Sequence, residues 1–146
     1  MLKRLIDNWV YGGFLAGLLL LLTPVIAHSW APSLLATFLC LPIYMLHQYE
    51  EHDNDRFRIF VNQAIGKGRE GLSPLAVFVI NVPGVWGLIG LSVSLATMVN
   101  VGLGLIAVYL IVVNAIAHIV HAAIFRRYNP GLGTAIGLFL PLEATV

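Results

Sequence analysis

The sequence predicts an all-α protein, a polytopic bundle of four to five transmembrane helices. Of its 146 residues, 59% are hydrophobic and only 10% are charged, whereas soluble domains are about 25% charged. No Asp, Glu, Lys or Arg occurs within 8–49 or within 71–125, and a soluble fold of this size has too much surface to hide two such stretches. Because these runs do not alternate polar and apolar residues, helices are the expected spanning elements. Residues 1–146 are expected to form a single membrane domain.

The lengths of the apolar segments define the predicted spans. A hydrocarbon core about 30 Å thick requires roughly 20 helical residues, and four segments meet that length: 9–27, 32–49, 75–99 and 101–125. His28, in the first turn, is expected at the non-cytoplasmic interface. A fifth apolar segment follows Gly131 and ends at Val146. It covers roughly 24 Å at about 1.5 Å per residue, so it is short for a full crossing.

The basic residues predict how the chain is oriented. If the N-terminus is cytoplasmic, every Lys and Arg falls on the cytoplasmic side of these spans, and the opposite loops carry none. This is the positive-inside pattern of a multi-pass protein in the cell inner (plasma) membrane. Within the polar stretch 50–71, Phe57, Phe60 and Ala64 recur at three- and four-residue spacing. That spacing predicts a short amphipathic helix at the cytoplasmic interface, between the second and third spans.

The end of the second span carries the first candidate site residues. It reads HQYEEH from His47 to His52, and successive helical residues advance by about 100°. Relative to His47, Glu50 lies at roughly −60° and Glu51 at roughly +40°, so the three share one face, whereas His52 at about 140° faces elsewhere. A histidine and a carboxylate in an i, i+3 relation form the ligand geometry of di-metal helix bundles.

The fourth span carries the second group of polar residues. Asn114, His118 and His121 lie within an arc of about 60° on one helical face, and two histidines three residues apart can ligate one metal ion. Counted from the nearest polar boundary, His118 is about 12 Å deep, His121 about 7–8 Å, and His47 of the second span about 9 Å.

The third span adds a polar residue at the same depth. Asn81 lies about 12 Å inside the predicted boundary. It precedes Pro83 and Gly84, which can break a helix and free backbone carbonyls toward a cavity. Three spans are therefore predicted to place polar side chains in one layer.

The predicted layer favours a metal site. Ionisable groups at membrane depth are costly unless they pair, bind a metal or line a water-filled cavity, and imidazole with carboxylate is a ligand set for Zn, Fe or Mn. The predicted metal ligands are His47, Glu50, Glu51, His118 and His121, holding a divalent ion, Fe or Zn, in a mononuclear or dinuclear centre. Water activation, with Glu50 or Glu51 as the catalytic base, and dioxygen activation at iron both remain open.

Three further polar residues are expected beside the ligands. Asn81, Asn114 and Tyr49 are predicted to lie behind the metal ligands or against the substrate. The alternatives concern the predicted ligands: Glu50 and Glu51 are solvated residues where the second helix leaves the membrane, and His118 and His121 are hydrogen-bonded packing residues between helices.

The motif at the end of the second span resembles the signature of the HXXEE family of small prokaryotic integral membrane proteins. The match lies in His47, Glu50 and Glu51, and the stretches 114–121 and 128–131 are similar to the second half of that family. The resemblance extends from about Trp9 to Leu142. It implies a membrane domain whose motif residues form a metal or catalytic centre, and it implies no particular substrate.

Three functions are compatible with these residues. The first is a metal-dependent hydrolase or oxidoreductase that acts on a lipophilic small molecule or lipid entering from the bilayer. The second is an ion or proton transporter using the same His and Glu residues. The third is a non-catalytic membrane subunit that docks a partner helix, or a second copy of the chain, through glycine-rich faces around Gly102 and Gly104. A net charge of +1 without a basic stripe excludes a nucleic-acid partner.

Overall fold

The structure is a computed structural model that describes residues 1–26 and 29–144, so His28 lies outside the described residues. The described residues form helices and connecting turns and include no strand, which confirms the predicted all-α class. The helices have these bounds: α1 Leu2–Ile26 with a short turn after Leu20, α2 Pro32–His52, α3 Arg56–Ala64, α4 Pro74–Met98, α5 Val101–Phe125 and α6 Leu132–Glu143.

Three of these helices, α1, α4 and α5, are long and apolar enough to span a membrane. Helix α2 has 21 residues, the length of a span, but the polar residues at its C-terminal end lower its apolar character. Helix α6 is shorter, about 18 Å at the helical rise. Its length agrees with the expectation that the last segment is short for a full crossing.

Helix α4 is continuous through Pro83 and Gly84, the residues at which the sequence allowed a break. Ser73 caps its N-terminus by accepting a hydrogen bond from the Ala76 amide at 3.2 Å, and Pro74 occupies the first turn. Pro83 and Gly84 lie within a π-helical stretch, Ile80–Trp86. Because proline has no N–H to donate, the hydrogen-bond ladder shifts locally to wider turns and the helix continues.

Small residues let the helices approach closely. A Cβ at Gly13 of α1 would lie 2.6 Å from the Trp86 ring of α4, and one at Gly17 would lie 3.0 Å from Met45 of α2. A Cβ at Gly104, at the start of α5, would lie 2.3 Å from the Thr37 hydroxyl of α2. Gly104 is therefore part of the packing within this chain.

The main hydrophobic core lies between α2, α4, α5 and α6. Its largest fully buried side chains are Ile89, Ile111 and Phe139. The Phe139 ring lies 4.4 Å from the His47 ring, between ring centroids. The core therefore occupies the bundle directly above the polar end of α2, and α6 completes it.

The polar connections gather at one end of the bundle. Helix α3 forms where the amphipathic helix was predicted, and Arg58 pairs with Asp55 at 2.5 Å and with Glu70 at 3.5 Å. The hydrogen bonds to Asp55 raise the pKa of the Arg58 guanidinium. The Phe60 ring packs under the Arg127 guanidinium at 4.9 Å. These contacts close the end of the bundle at which α2 ends.

Candidate metal centre

Two histidines and one glutamate meet inside the bundle. His47 and Glu51 are one turn apart on α2, and His118 comes from α5. Glu51 Oε2 lies 3.6 Å from His47 Nε2, and Glu51 Oε1 lies 3.5 Å from His118 Nε2. The three side chains are almost fully buried, and each offers one atom to a group whose members lie within 4.8 Å of one another.

The tautomer of His47 follows from its second ring nitrogen. His47 Nδ1 lies 2.8 Å from the Thr134 hydroxyl, and that hydroxyl lies 2.5 Å from Glu50 Oε2. A carboxylate can only accept, so Thr134 donates its one hydrogen to Glu50 and accepts from His47 Nδ1–H. In the neutral imidazole, His47 Nε2 therefore carries a lone pair directed at the group.

The same reasoning gives the tautomer of His118. Its Nδ1 lies 2.6 Å from Asn129 Oδ1, and Asn129 Nδ2 donates to the His118 carbonyl at 2.9 Å. The second bond sets the orientation of the amide, so its oxygen faces the ring and accepts from Nδ1–H. His118 Nε2 is therefore available as a ligand, just as His47 Nε2 is.

This geometry is able to hold a cation. Two imidazole lone pairs and a carboxylate face one another, and His47 Nε2 is a buried atom without a hydrogen-bond partner among the described residues. A proton on His118 Nε2 would neutralise Glu51 but would leave His47 Nε2 unsatisfied. Ligands about 2.1 Å from a tetrahedral ion lie about 3.4 Å apart, close to the two separations measured to Glu51. A single metal ion would satisfy all three side chains.

The chain passes very close to the two imidazoles at Gly131. This residue has φ +95°, and a Cβ built on it would lie 2.6 Å from His118 Cε1 and 2.8 Å from His47 Cε1. Only glycine combines a left-handed backbone with such an approach. The loop before α6 therefore covers the group with main chain.

His52 lies outside the group, in agreement with its predicted helical angle. Its ring lies between Trp9 and Phe57, and its Nε2 lies 3.2 Å from Oε2 of the neighbouring residue Glu51. His52 orients the carboxylate between the two imidazoles.

Glu50 lies outside the group. Its carboxylate accepts hydrogen bonds from the Tyr128 hydroxyl, from the Gly133 amide at 3.1 Å and from the Thr134 amide at 2.6 Å. It also accepts the hydrogen bond from the Thr134 hydroxyl described above. Glu50 therefore anchors the start of α6 and acts on His47 through Thr134.

His121 also lies outside the group. It is half-buried one turn beyond His118, and its ring contacts Phe125 with 6.1 Å between centroids. With Glu50 and His121 elsewhere, His47, Glu51 and His118 form the one group of three or more potential ligands in 1–26 and 29–144. This number of ligands suits one ion rather than two.

The polar residues predicted beside the ligands have different positions. Asn81 is buried, donates to the Val77 carbonyl and accepts from Gln48 Nε2, each at 2.8 Å. Asn114 Nδ2 donates to the Tyr44 hydroxyl at 2.7 Å. Both asparagines line a cavity of about 160 Å³ that also borders Glu51.

Tyr49 is not in that cavity lining. Its ring packs against Phe14 of α1, with 4.5 Å between centroids. The sequence reasoning missed Gln48, whose Oε1 accepts from Trp86 Nε1 at 2.5 Å. It also missed Asn129 and Thr134. Only the three-dimensional structure shows their roles, because their partners are distant in sequence.

The fold and the site define a helical protein with three membrane-length helices and a buried His–Glu–His group able to hold a metal ion. A family model described as "Protein of unknown function with HXXEE motif" matches residues 38–146, and the chain belongs to this family. The motif corresponds to His47, Glu50 and Glu51, and the match includes His118 but not α1. Comparisons with curated proteins and with solved structures gave no match.

Proposed function

We propose that this protein is an integral-membrane metalloenzyme with one divalent ion, Zn or Fe, held by His47, Glu51 and His118. Two imidazoles and one carboxylate are the ligands of zinc hydrolases and also of non-haem iron(II) oxygenases. When bound, zinc would supply water activation and iron would supply dioxygen activation. Three protein ligands leave coordination positions free for a reactant in either case.

The observation that carries this proposal is the orphaned His47 Nε2. A buried polar atom without a partner costs about 1–3 kcal/mol, and here that atom faces a carboxylate oxygen at 3.6 Å. Hydrogen bonds through Thr134 and Asn129 hold both rings with Nε2 toward Glu51. Such contacts behind the ligands are the usual way in which proteins orient metal-binding histidines.

The cavity beside Glu51 supports a lipophilic substrate. Its polar wall contains Asn81 and Asn114, whereas Val77, Ile80 and Val85 of α4 supply an apolar wall. At about 160 Å³ it is smaller than the 300–1,000 Å³ typical of drug-sized ligands. It therefore suits the reactive end of a molecule whose remaining apolar part lies in the bilayer.

We further propose that the protein is a multi-pass protein of the plasma membrane with the metal centre near the cytoplasmic face. The polar end of the bundle carries the basic residues of the α2–α4 connection and those that follow α5. Basic residues favour the cytoplasmic side. The centre lies only a few turns inside that end.

The two alternative functions have less support. A transporter requires a polar route across the bundle, but above the centre the interior is filled by the core of Ile89, Ile111 and Phe139. The hydroxyl of Ser92 is bonded to the Leu103 carbonyl at 2.8 Å. A docking role for the glycine face is weakened because Gly104 already packs on Thr37 within the chain.

Metal content tests the proposal directly. Purified protein should contain about one Zn or Fe per chain by elemental analysis, because one ligand group is present. His47→Ala, His118→Ala and Glu51→Gln should each lower that content at least about tenfold, since each removes one of only three protein ligands. A Co(II)-loaded sample should show a visible spectrum that the same variants abolish.

His121→Ala is the matched control, because it removes a histidine of the same helix one turn away from the group. It should keep the metal content and the Co(II) spectrum of the unmodified protein. The proposal fails if well-folded protein binds no stoichiometric ion after supplementation with Zn or Fe(II). It also fails if His121→Ala loses as much metal as His118→Ala.

A further inference from the structure

We propose that the substrate is recognised by an uncharged hydroxyl or amide group at the end of an apolar chain, and that Asn114 and Tyr44 bind this group beside the metal centre. This inference rests on the proposed function and specifies its substrate class. It excludes phosphate and carboxylate head groups from the cavity next to Glu51.

Asn114 and Tyr44 have hydrogen-bonding capacity that no described residue uses. Asn114 Oδ1 is a buried atom without a hydrogen-bond partner among the described residues. The other amide atom, Nδ2, donates to the Tyr44 hydroxyl at 2.7 Å, and both residues line the cavity. As the phenol oxygen accepts in this bond, its own hydrogen is free to donate. The pair therefore offers one acceptor and one donor to a ligand.

An amphoteric ligand group is the best match to this pair. A hydroxyl or a primary amide both donates and accepts, so it can satisfy Asn114 Oδ1 and the Tyr44 hydroxyl at once. If the amide of Asn114 is rotated by 180°, its free atom becomes a donor, and the same ligand groups still satisfy it. A hydrocarbon end would leave the buried atom unsatisfied in either orientation.

The hydrogen-bonding groups of the cavity select against anions. Its lining in the described part of the chain contains no Lys or Arg. A carboxylate end has no hydrogen to donate to Asn114 Oδ1, so it would leave that buried acceptor unsatisfied. The apolar wall of Val77, Ile80 and Val85 continues onto the surface of α4, where Ile80 is exposed. An aliphatic chain can therefore extend outward from the bound group.

The test compares photoreactive probes of equal chain length that carry a diazirine at the same carbon. Their ends are an alcohol, a primary amide, a carboxylic acid or a methyl group. Metal-loaded protein in phosphatidylcholine nanodiscs is irradiated with each probe, and mass spectrometry locates the labelled residues. The alcohol and the amide should label the cavity wall at Val77, Ile80 and Val85 about fivefold more than the acid and the methyl-ended probe, the effect of about one buried hydrogen bond.

Two variants examine the binding pair. Asn114→Leu and the nearly isosteric Tyr44→Phe should each reduce the head-group selectivity about fivefold while the metal content, measured in the same samples, stays unchanged. Thr97→Val is the control, since Thr97 bonds only to its own helix at Val93 and is exposed. It should leave the labelling pattern as it is.

The possible results separate the two proposals. Equal labelling by all four probes in metal-loaded protein overturns the substrate class and leaves the metal centre supported. Preferential labelling by the acid also overturns it. Selective labelling by the alcohol and the amide in protein that never binds metal supports the substrate class and overturns the metal centre.

Discussion

At the scale of single residues, the candidate centre depends on which nitrogen of each imidazole carries the proton. Thr134 and Asn129 each accept from an Nδ1–H, so both Nε2 lone pairs are directed at Glu51. Two different acceptor side chains thus give the same tautomer to two histidines that lie on different helices. Agreement between independent contacts is stronger evidence for a ligand role than the burial of either histidine, because buried histidines commonly serve in packing.

Gly131→Ala should weaken metal binding and lower the stability of the protein, although it adds only one methyl group. The new methyl group would lie 2.6 Å from His118 Cε1, at a backbone angle of φ +95° that disfavours side chains. We expect metal binding to weaken at least about tenfold and the protein to lose about 2 kcal/mol of stability. Chelator competition and thermal unfolding would measure the two effects.

Gly137→Ala is the paired control for Gly131. Gly137 lies in α6 and a Cβ there would meet nothing within 4 Å, so alanine should be neutral or slightly stabilising. The account of Gly131 is contradicted if both alanine variants bind metal as tightly as the unmodified protein.

At the scale of helices, α6 is bonded to the polar end of α2. Its first amides, those of Gly133 and Thr134, donate to the Glu50 carboxylate, and a helix N-terminus favours a negative charge. Its π-helical stretch, Ala135–Phe139, places Phe139 in the core beside His47. Glu50 thus stabilises the helix that in turn orients a candidate ligand.

Thr134→Val should reduce metal affinity without removing a ligand. Valine has nearly the same shape but cannot accept from His47 Nδ1–H, so the ring is no longer fixed in the ligand tautomer. Losing such a contact typically weakens metal binding about 10- to 100-fold, and competition with a chelator of known affinity would show it. Thr134→Ser keeps the hydroxyl and should retain most of the affinity. An unchanged affinity in Thr134→Val would remove the proposed role of the hydroxyl.

The contrast between Glu50 and Glu51 shows how far helical periodicity can predict the site. The 100° arithmetic and the common depth correctly brought His47, Glu51 and His118 together, because both quantities depend only on helix geometry. Glu50 was only about 20° further from His47 in angle, but its partners lie 83 and 84 residues further along the chain. Only the packing of α6 decides between the two carboxylates.

At the scale of the whole molecule, the bundle is divided along its length. One end contains the buried polar network of Gln48, Asn81 and Trp86 together with the candidate ligands. The other half is apolar, with Cys40, Ile89 and Ile111 in its interior. Chemistry confined to one end needs polar reactants from only one side of the membrane, which accords with an enzyme whose apolar substrate arrives through the bilayer.

The proposed orientation predicts which side can be labelled. In a Cys40→Ala background, a cysteine at Val99, in the turn between α4 and α5, should react with a membrane-impermeant maleimide in intact spheroplasts. A cysteine at Lys67, in the α3–α4 connection, should react only in inverted vesicles, because its loop carries the basic residues that favour the cytoplasm. Both positions are exposed, whereas Cys40 is buried, so unmodified protein is the unlabelled control. The opposite pattern would place the metal centre at the outer face of the membrane, and metal loading would then depend on extracellular rather than cytosolic ions.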